Sequence, residues 1–378
     1  MKVLRGATPE EVGIPSEFGE LLEGLKTKCL SELGDRKVTE DDYKEMMDDG
    51  KPRNISVQEF AAALRSTPKG KAPGASGLTA DALAVMPMGW IGLATATANL
   101  IMHTQITPAQ WRVGITNYVH KGGDDRTMGN FRPIMLMDVL MKVNMRVHNQ
   151  RMTNAWRRMK VLTENNAGFQ RGRGTPSSIF PLRVAAAQAA RKKQELAALF
   201  DDLAWAFDTP PRAVIELALR RLGVPDYFVR LLRDADNMAL RDTALAAGGA
   251  HETTGEYHRV LFGTAQGTVE GPSLWMAVAD IVVDWAARHN DQPVDLDAGP
   301  SGSEPVGFAT FVDDSGLVQG GPGADVALAR LANATGLMYY FLGLKRRAKK
   351  CVYSRMVWVK GKLQRVAQRR MTGLEIDE

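Results

Sequence analysis

Two acidic motifs in the sequence could carry metal-dependent chemistry. FDDL places Asp201 and Asp202 at the end of one apolar segment, and FVDD places Asp313 and Asp314 at the end of another. An ionised aspartate at the end of a buried strand is unfavourable unless a cation offsets its charge. If the two strands are antiparallel neighbours, about 4.8 Å apart, one carboxylate from each could bind a shared divalent ion. Two Mg²⁺ ions roughly 3.5–4 Å apart would then support phosphoryl transfer.

The second motif also has a purely structural interpretation. It lies in FATFVDDSGLV, residues 308–318, where two apolar arms flank an Asp-Asp-Ser-Gly pivot. Apolar arms around such a pivot predict a β-hairpin, and aspartate, serine and glycine are ordinary turn residues. On spacing alone, these aspartates are either turn residues or metal ligands.

The surrounding pattern predicts the elements that would hold these acids. LAALFDDL predicts a buried strand, and PPRAVIELALRRLG predicts a helix that begins at its prolines and ends at Gly223. Residues 132–159 have the apolar spacing of one helix, with Pro133 in its first turn. ISVQEFAAALRST, residues 55–67, predicts a helix with Ser56 as its N-cap. SLWMAVADIVVDWAARHN and ADVALARLANATGLMYYFLG predict further helices, and KCVYSRMVWVKG predicts strands. The predicted fold class is α+β, an antiparallel sheet with helices packed on one face.

The composition permits a nucleic-acid partner without requiring one. The 378 residues carry a net charge of +5 and are 44% hydrophobic, which suits two or three domains or one multi-lobed enzyme. Between Leu344 and Met371 there are eleven Lys or Arg residues and no acid. This basic block is either a nucleic-acid-facing surface or a solvated tail.

Cysteine content and hydropathy predict where the chain acts. Only Cys29 and Cys351 are present, so neither a disulfide framework nor a Cys/His zinc site is expected. This pattern suits a reducing compartment. No apolar run reaches the length of a membrane span, and the first residues lack a signal-peptide pattern. We therefore expect an intracellular protein, cytoplasmic or nuclear, with no membrane partner.

Seven short motifs occur in a recognisable order. They are KAPGASGLTADAL (71–83), YVHKGGDDRTMGNFRPIMLMDVLMKV (118–143), AGFQRGRGTPSSI (167–179), DLAWAFDTP (202–210), GTAQGTVEGPSLW (263–275), FVDD (311–314) and GLKRRAKKC (343–351). This series resembles the reverse transcriptase domain of non-LTR retrotransposons and of group II introns, in which a D-x-x-x-A-F-D motif precedes YADD. The resemblance runs over roughly three quarters of the chain.

The resemblance implies the right-hand architecture of polymerases, with fingers and palm. Residues 1–55 would form an N-terminal helical arm, 56–190 the fingers, 191–358 the palm with the catalytic aspartates, and 359–378 a basic C-terminal tail or the start of a thumb. Because few residues follow Cys351, the thumb is expected to be absent or truncated. Further domains or chains of a larger element are expected as partners.

The same resemblance implies RNA-directed DNA polymerase activity. A DNA or RNA primer would be extended with dNTPs on an RNA template, with two Mg²⁺ ions, or Mn²⁺ in their place, as cofactors. Asp202 and Asp313 would bind both metals, and Asp314 would be the adjacent, less critical acid. Lys350, or its near-equal neighbour Lys349, would be the general acid for the leaving pyrophosphate.

Five other residues are implied to bind the nucleotide. Lys121 and Arg132 would offset charge on the triphosphate oxygens, or they are ordinary surface charges. Phe207 matches the steric gate that favours deoxynucleotides, or it is a core aromatic residue. Gln266 and Gly267 would line the pocket, where glycine permits close approach of the backbone, or they form a turn between strand and helix.

Two arginines and two unusual acids complete the implied site. Arg171 and Arg173 would contact template phosphates, which position a strand without reading its sequence. Asp201 is an acid that the family pattern does not require. Glu270 places a negative charge near a site for polyanions, where it would repel substrate or point outward.

Two other functions are compatible with the sequence. A catalytically inactive nucleic-acid-binding remnant of a retroelement would explain the missing thumb and the basic tail, although not the pair Asp202 and Asp313. An RNA-templated RNA polymerase would share such a palm, although Phe207 favours deoxynucleotides.

Overall fold

The structure is a computed structural model of the chain. It describes residues 19, 23–237, 240–243, 255, 258–259, 263–264, 266–297, 303–347 and 350–368. The chain divides into two compact units whose segments alternate along the sequence. The first unit falls within residues 1–34, 162–214 and 276–378, and the second within 35–161 and 215–275.

Helices and strands are interspersed through the described residues, so the predicted α+β class is confirmed. The α-helices are α1 (Ser31–Leu33), α2 (Val57–Arg65), α3 (Ala80–Ala84), α4 (Met88–Thr104), α5 (Val139–Met159), α6 (Thr175–Lys192), α7 (Arg212–Arg221), α8 (Asp226–Asn237), α9 (Gly271–Arg288) and α10 (Ala324–Phe341). The strands are β1 (Met47–Asp48), β2 (Lys51–Pro52), β3 (Val113–His120), β4 (Phe131–Leu136), β5 (Leu196–Ala204), β6 (Leu240–Thr243), β7 (His258–Arg259), β8 (Val294–Asp297), β9 (Ser303–Val306), β10 (Phe308–Phe311), β11 (Asp314–Gly320), β12 (Lys345–Arg346), β13 (Val352–Val359) and β14 (Lys362–Gln368). In the ranges described above, no helix has both the length and the apolar character needed to cross a membrane.

The first unit is built around an antiparallel sheet of six strands. The strand order is β10-β11-β5-β13-β14, and the short β12 pairs with the C-terminal end of β5. Strand β5 is central because it pairs with β11 on one side and with β13 and β12 on the other. The FDDL motif therefore lies on a central strand of the sheet, in the C-terminal half of β5.

Helices cover both faces of this sheet, whereas the sequence predicted helices on one face. On one face, α6 packs Ala189 against a cluster that includes Ala198 of β5. On the other face, α10 lies against β5 and β11, and the Tyr339 hydroxyl donates a hydrogen bond to Ser315 Oγ at 3.4 Å. The reason lies in β5, where Leu196–Leu199 are all buried. A strand that is apolar on both sides must be covered on both sides.

The second unit contains a four-stranded mixed sheet and most of the shorter helices. Its strand order is β4-β3-β6-β7, in which β3 and β6 are parallel and the other pairs are antiparallel. Helix α2 begins after Ser56 as predicted, because Ser56 Oγ accepts a hydrogen bond from the Glu59 N–H at 3.1 Å. Its apolar face buries Phe60 and Leu64 against Val143 and other residues of this unit's core.

The apolar spacing of residues 132–159 predicted one helix, and this prediction is wrong. Phe131–Leu136 is strand β4, and α5 begins at Val139 after the N-cap residue Asp138. Asp138 Oδ1 accepts a hydrogen bond from the Leu140 N–H at 2.8 Å, which satisfies a free donor at the helix start. Pro133 is tolerated in β4 because this strand lies at the edge of its sheet.

The segment beyond the predicted palm is partly a strand. β14 pairs with β13 from Tyr353↔Gln368 to Val359↔Lys362, so this part of 359–378 is not a solvated tail. Residues 369–378, and residues 1–18 and 20–22 of the predicted arm, lie outside the described residues. The boundaries of arm, fingers, palm and tail or thumb remain predictions.

Replacement of two glycines of the second unit by alanine should change the stability of the fold in opposite directions. Gly223 has φ +71°, and a Cβ there would lie 1.8 Å from Val38 Cγ2, so Gly223→Ala should destabilise the fold by about 2 kcal/mol or more. Gly92 lies within α4 with no described atom within 4 Å of its Cβ position, so Gly92→Ala should stabilise by about 0.5–1 kcal/mol. Urea denaturation measures both changes. Equal effects of the two substitutions would contradict this packing.

Candidate active site

The FVDD motif forms the tip of an antiparallel hairpin, as predicted. Strands β10 and β11 pair up to Phe311↔Asp314, which leaves Val312 and Asp313 as a two-residue turn. Val312 has φ +62°, a left-handed conformation that is unfavourable for a β-branched residue. Backbone strain of this kind persists only where neighbouring structure holds it, and it concentrates at functional sites.

The segment before α6 holds this hairpin in place. The Ala167 N–H donates to the Thr310 carbonyl at 3.1 Å, and the Thr310 N–H donates to the Asn165 carbonyl at 3.0 Å. Gly168 follows, and a Cβ there would lie 2.7 Å from the backbone nitrogen of Val312. Glycine permits this close approach, so the AGFQRGRG motif supports the turn of FVDD.

Three carboxylates lie together at this end of the sheet. Strands β5 and β11 pair in the register Asp202↔Asp314, so these two side chains project from the same face. Asp313 lies in the adjoining turn. Burial, followed by the charges of Asp313 and Asp202, raises the pKa of Asp314 above its usual range, and Lys350 offsets part of the rise. The predicted adjacency of the two acidic strand ends is confirmed.

Two cations of the GLKRRAKKC segment contact Asp202. Lys350 Nζ lies 3.5 Å from Asp202 Oδ2, and Arg347 Nη1 lies 3.4 Å from Asp202 Oδ1. The Arg347 N–H also donates a hydrogen bond to the Asp202 carbonyl at 2.8 Å. The structure thus places Lys350 beside a predicted metal ligand, whereas Lys349 lies outside the described residues.

The carboxylates are compatible with a metal that takes few protein ligands. Asp202 Oδ1 is buried and accepts no hydrogen bond within the described residues, and the cation nearest to it is Arg347 Nη1 at 3.4 Å, so a metal ion could take this oxygen as a ligand in place of that ion pair. In the same residues, no group of three or more His, Cys, Asp or Glu side chains is arranged to hold a metal ion. Mg²⁺ usually takes one or two carboxylates and keeps waters and substrate phosphates as its other ligands. The assignment of Asp202 and Asp313 as metal ligands remains a prediction.

Phe207 lies in the turn that follows β5. It is half-buried, and its ring meets Phe169 edge-on, with centroids 5.9 Å apart and an interplanar angle of 79°. Partial exposure distinguishes it from a fully buried core residue. Its role as a steric gate remains a prediction.

The two predicted template contacts lie in the segment that leads into α6. Arg171 and Arg173 are both exposed. The Arg173 guanidinium donates a hydrogen bond to the Glu164 carbonyl. Both cations lie in the motif that supports the hairpin, and their binding to phosphates remains a prediction.

The other four predicted nucleotide-binding residues lie on or beside the β3–β4 hairpin of the second unit. Lys121 directly follows β3, Arg132 lies on β4, and both are exposed. The Gln266 carbonyl accepts a hydrogen bond from the Met135 N–H of β4 at 2.8 Å. Gly267 has φ +104°, and a Cβ there would lie 2.8 Å from the Met135 carbonyl oxygen. Gln266 and Gly267 form the turn before α9, and nucleotide binding by all four residues remains a prediction.

One of the two expectations for Glu270 was that its side chain would point outward, and its burial contradicts that expectation. It is 7% exposed and directly precedes α9, whose Ser273 and Leu274 N–H groups donate to its carbonyl. Its charge acts within the second unit on Lys142 of α5. Burial lowers the pKa of Lys142, and the charges of Asp138 and Glu270 offset part of that change.

Comparison with curated proteins finds relatives among the polymerases of mobile elements. The chain is 28% identical over 155 residues to a probable RNA-directed DNA polymerase from transposon BS of Drosophila melanogaster, a match that covers 41% of this chain and 17% of that protein. It is 26% identical over 220 residues to the probable RNA-directed DNA polymerase from transposon X-element of the same species, covering 57% of this chain and 23% of that protein. It is 26% identical over 308 residues to the retrovirus-related Pol polyprotein from type-1 retrotransposable element R2 of Popillia japonica, covering 79% and 39%.

These similarities support a reverse transcriptase domain of the non-LTR retrotransposon type in this chain. The resemblance carried by the seven motifs is therefore confirmed. The chain spans only 17–39% of the length of these three relatives. No protein-family model matches it.

The carboxylate site contains two contacts that the motifs did not predict. Arg347 pairs with Asp202, and Arg346 Nε donates a hydrogen bond to Asp201 Oδ2 at 2.8 Å. A signal for the second contact was available, because a buried acid in an apolar strand requires a cation. The sequence could not select Arg346 from the neighbouring cations of residues 345–350.

We expect the pKa of Asp314 to respond to each charge that faces it. Asp202→Asn should lower this pKa because a negative charge is removed, and Lys350→Met should raise it because a positive charge is removed. A ¹³C NMR titration of the aspartate carboxyl groups measures both shifts. Asp295→Asn, a substitution on the exposed part of β8, is the control and should shift neither way. An Asp314 pKa that is the same in all variants would contradict the interaction.

Stability should fall as this carboxyl group ionises. The pKa of Asp314 in the folded chain is raised above its ordinary value of 3.8, so the folded state holds the proton more tightly than the unfolded state. The raised pKa therefore adds to the free energy of unfolding. This stabilising contribution is fully present below pH 3.8 and is lost as pH rises through the folded-state pKa. Thermal melts of wild type and Asp314→Asn across this range should converge at low pH and separate, with the variant more stable, at neutral pH.

Proposed function

We propose that this chain is an RNA-directed DNA polymerase that adds nucleotides from dNTPs to a DNA or RNA primer on an RNA template. The observation that carries the proposal is the cluster of Asp202, Asp313 and Asp314 on two adjacent strand ends. The printed names of the relatives, which include RNA-directed DNA polymerase, support the same activity. The proposed setting is the cytoplasm or nucleus, within a larger mobile-element protein.

The proposed reaction is a nucleotidyl transfer. The primer 3′-oxygen forms a bond to the α-phosphorus of the dNTP, the hydroxyl proton is released, and the bond from that phosphorus to the pyrophosphate oxygen breaks. Two Mg²⁺ ions, or Mn²⁺, held by Asp202 and Asp313 would stabilise the attacking and leaving oxygens. Lys350 would donate a proton to the pyrophosphate, and its contact with Asp202 keeps its side-chain nitrogen at this end of the sheet.

The other residues have roles in holding the substrates. The exposed cations Lys121 and Arg132 would bind the triphosphate, where charge-assisted hydrogen bonds offset its negative charge. Gln266 and Gly267 would line the nucleotide pocket from the turn before α9. Arg171 and Arg173 would bind template phosphates. These assignments rest on the family resemblance and on the exposure of the four cations.

Primer extension should depend on the predicted metal ligands. Asp202→Ala and Asp313→Ala should each lower the Mg²⁺-dependent rate on an RNA template by about a thousandfold, because a lost metal ligand removes several kcal/mol of transition-state stabilisation. Asp314→Ala should cost less. Asp295→Ala on β8 is the matched control and should retain the wild-type rate. Wild-type protein that extends no primer with Mg²⁺ or Mn²⁺ would contradict the proposed function.

Phe207 should determine the choice between dNTP and NTP. Phe207→Ala should raise the rate of NTP incorporation relative to dNTP by at least about tenfold, because a clash with the ribose 2′-hydroxyl is removed. Single-nucleotide extension with each substrate measures the ratio. Phe169→Ala removes the edge-on neighbour of Phe207 and is the control for lost packing. An unchanged ratio in Phe207→Ala, or equal use of both substrates by wild type, would contradict the gate.

A further inference from the structure

A buried ion pair lies behind Asp202. Asp201 and Asp202 are consecutive in β5, so their side chains project from opposite faces of the sheet. Asp201 Oδ2 accepts a hydrogen bond from Arg346 Nε at 2.8 Å, and the two side chains are 0% and 7% exposed. A charged pair is thus enclosed directly beneath the acid that is proposed to bind metal.

This pair joins the elements that carry the active-site acids. Arg346 Nη2 donates to Thr335 Oγ1 of α10 at 2.6 Å, and its guanidinium carbon lies 4.9 Å from the centre of the Tyr339 ring. Tyr339 in turn donates to Ser315 Oγ at 3.4 Å. Ser315 is the cross-strand partner of Asp201, one residue from Asp314. The contacts therefore connect β5, β11, β12 and α10 beneath the carboxylates.

The same pair fixes the cations on the opposite face. Arg346 pairs with Leu203 in the β12–β5 ladder, and the next residue, Arg347, donates its N–H to the Asp202 carbonyl at 2.8 Å. The Lys350 N–H then donates to the Arg347 carbonyl at 2.8 Å. Because the chain is held at Arg346, the side chains of Arg347 and Lys350 are placed against Asp202.

Stability alone does not explain a buried ion pair. Burial raises the pKa of Asp201, and the charge and hydrogen bond of Arg346 offset part of that rise. Desolvation of both groups cancels much of their attraction, and an apolar pair of similar size is often as stable or more stable. What the charged pair adds is geometric, because the planar guanidinium holds Asp201 and Thr335 at defined positions.

We propose that the Arg346–Asp201 pair is a positioning device that sets Asp202 and Lys350 for metal binding and catalysis. This inference rests on the proposed function. Arg346 and Asp201 touch no substrate, so they are positioning residues. Their effect should appear as a change in metal affinity at unchanged fold.

The test uses the double variant Asp201→Leu/Arg346→Met, which replaces the pair by apolar residues. We expect its Tm to lie within a few degrees of wild type, whereas Arg346→Met alone should lower Tm by roughly 10 °C because Asp201 is left buried and unpaired. The Mg²⁺ concentration for half-maximal primer extension should rise about tenfold in the double variant, the size typical when a group that orients a metal ligand is lost.

Two further variants separate positioning from stability. Arg346→Lys keeps the charge beside Asp201 but cannot reach Asp201 and Thr335 together, so its half-maximal Mg²⁺ concentration should also rise, by a smaller factor. Leu331→Ala, a fully buried position on α10, should lower Tm and leave the Mg²⁺ dependence unchanged. Wild-type Mg²⁺ dependence in both the double variant and Arg346→Lys would overturn the proposal.

A direct binding measurement distinguishes this inference from the proposed function. Mn²⁺ binding, followed by electron paramagnetic resonance of the free ion, requires no catalysis. If wild type extends no primer but binds Mn²⁺ about tenfold more tightly than the double variant, the proposed function fails and the positioning role is supported. If wild type extends primers and all variants bind Mn²⁺ equally, the positioning role fails and the function stands. Wild type that neither extends primers nor binds Mn²⁺ would overturn both.

Discussion

Like charges at one end of the central sheet set the main constraint on the first unit. Burial, followed by the charges of Asp313 and Asp202, raises the pKa of Asp314, and such a cluster of acids is unfavourable in isolation. Arg347 and Lys350 offset part of the repulsion from one side. The ladder between β5 and β11, seven residue pairs long, holds the two strand ends together regardless of charge. Buried apolar residues at the other end of β5 provide the stability that this arrangement requires.

The period of a β-strand gives consecutive aspartates different environments. Asp202 faces the side with Asp314, Arg347 and Lys350, and Asp201 faces the buried side with Arg346. A shift of one residue in register would exchange the two faces. Such a shift would bury Asp202 and expose Asp201, so the covered faces of the sheet select one register. Binding chemistry and core packing therefore depend on the same strand alignment.

The hairpin tip shows the same dependence on its surroundings. Val312 adopts a left-handed conformation that costs of order 1–3 kcal/mol for such a residue. The hydrogen bonds of Asn165 and Ala167 to Thr310, and the close packing of Gly168, hold the turn in this conformation. In the second unit, Gly267 similarly allows the turn at Gln266 to pack on the backbone of β4. In both places, glycine-containing motifs of the family resemblance act through close backbone contact.

The sequence by itself determined the elements whose signals are local. The hairpin at 308–318, the strand at FDDL, the helix after Ser56 and the order of the family motifs all follow from residues within short segments. The tertiary structure decided which residues meet across the chain. It separated β4 from α5 in a segment with helical spacing, because Phe131–Leu136 finds a partner in β3. It also placed helices on both faces of the central sheet. Of the cations in residues 345–350, packing pairs Arg346 with Asp201 and Arg347 with Asp202. Local pattern specifies conformation, whereas the pairing of charges separated by more than a hundred residues depends on how strands and helices pack.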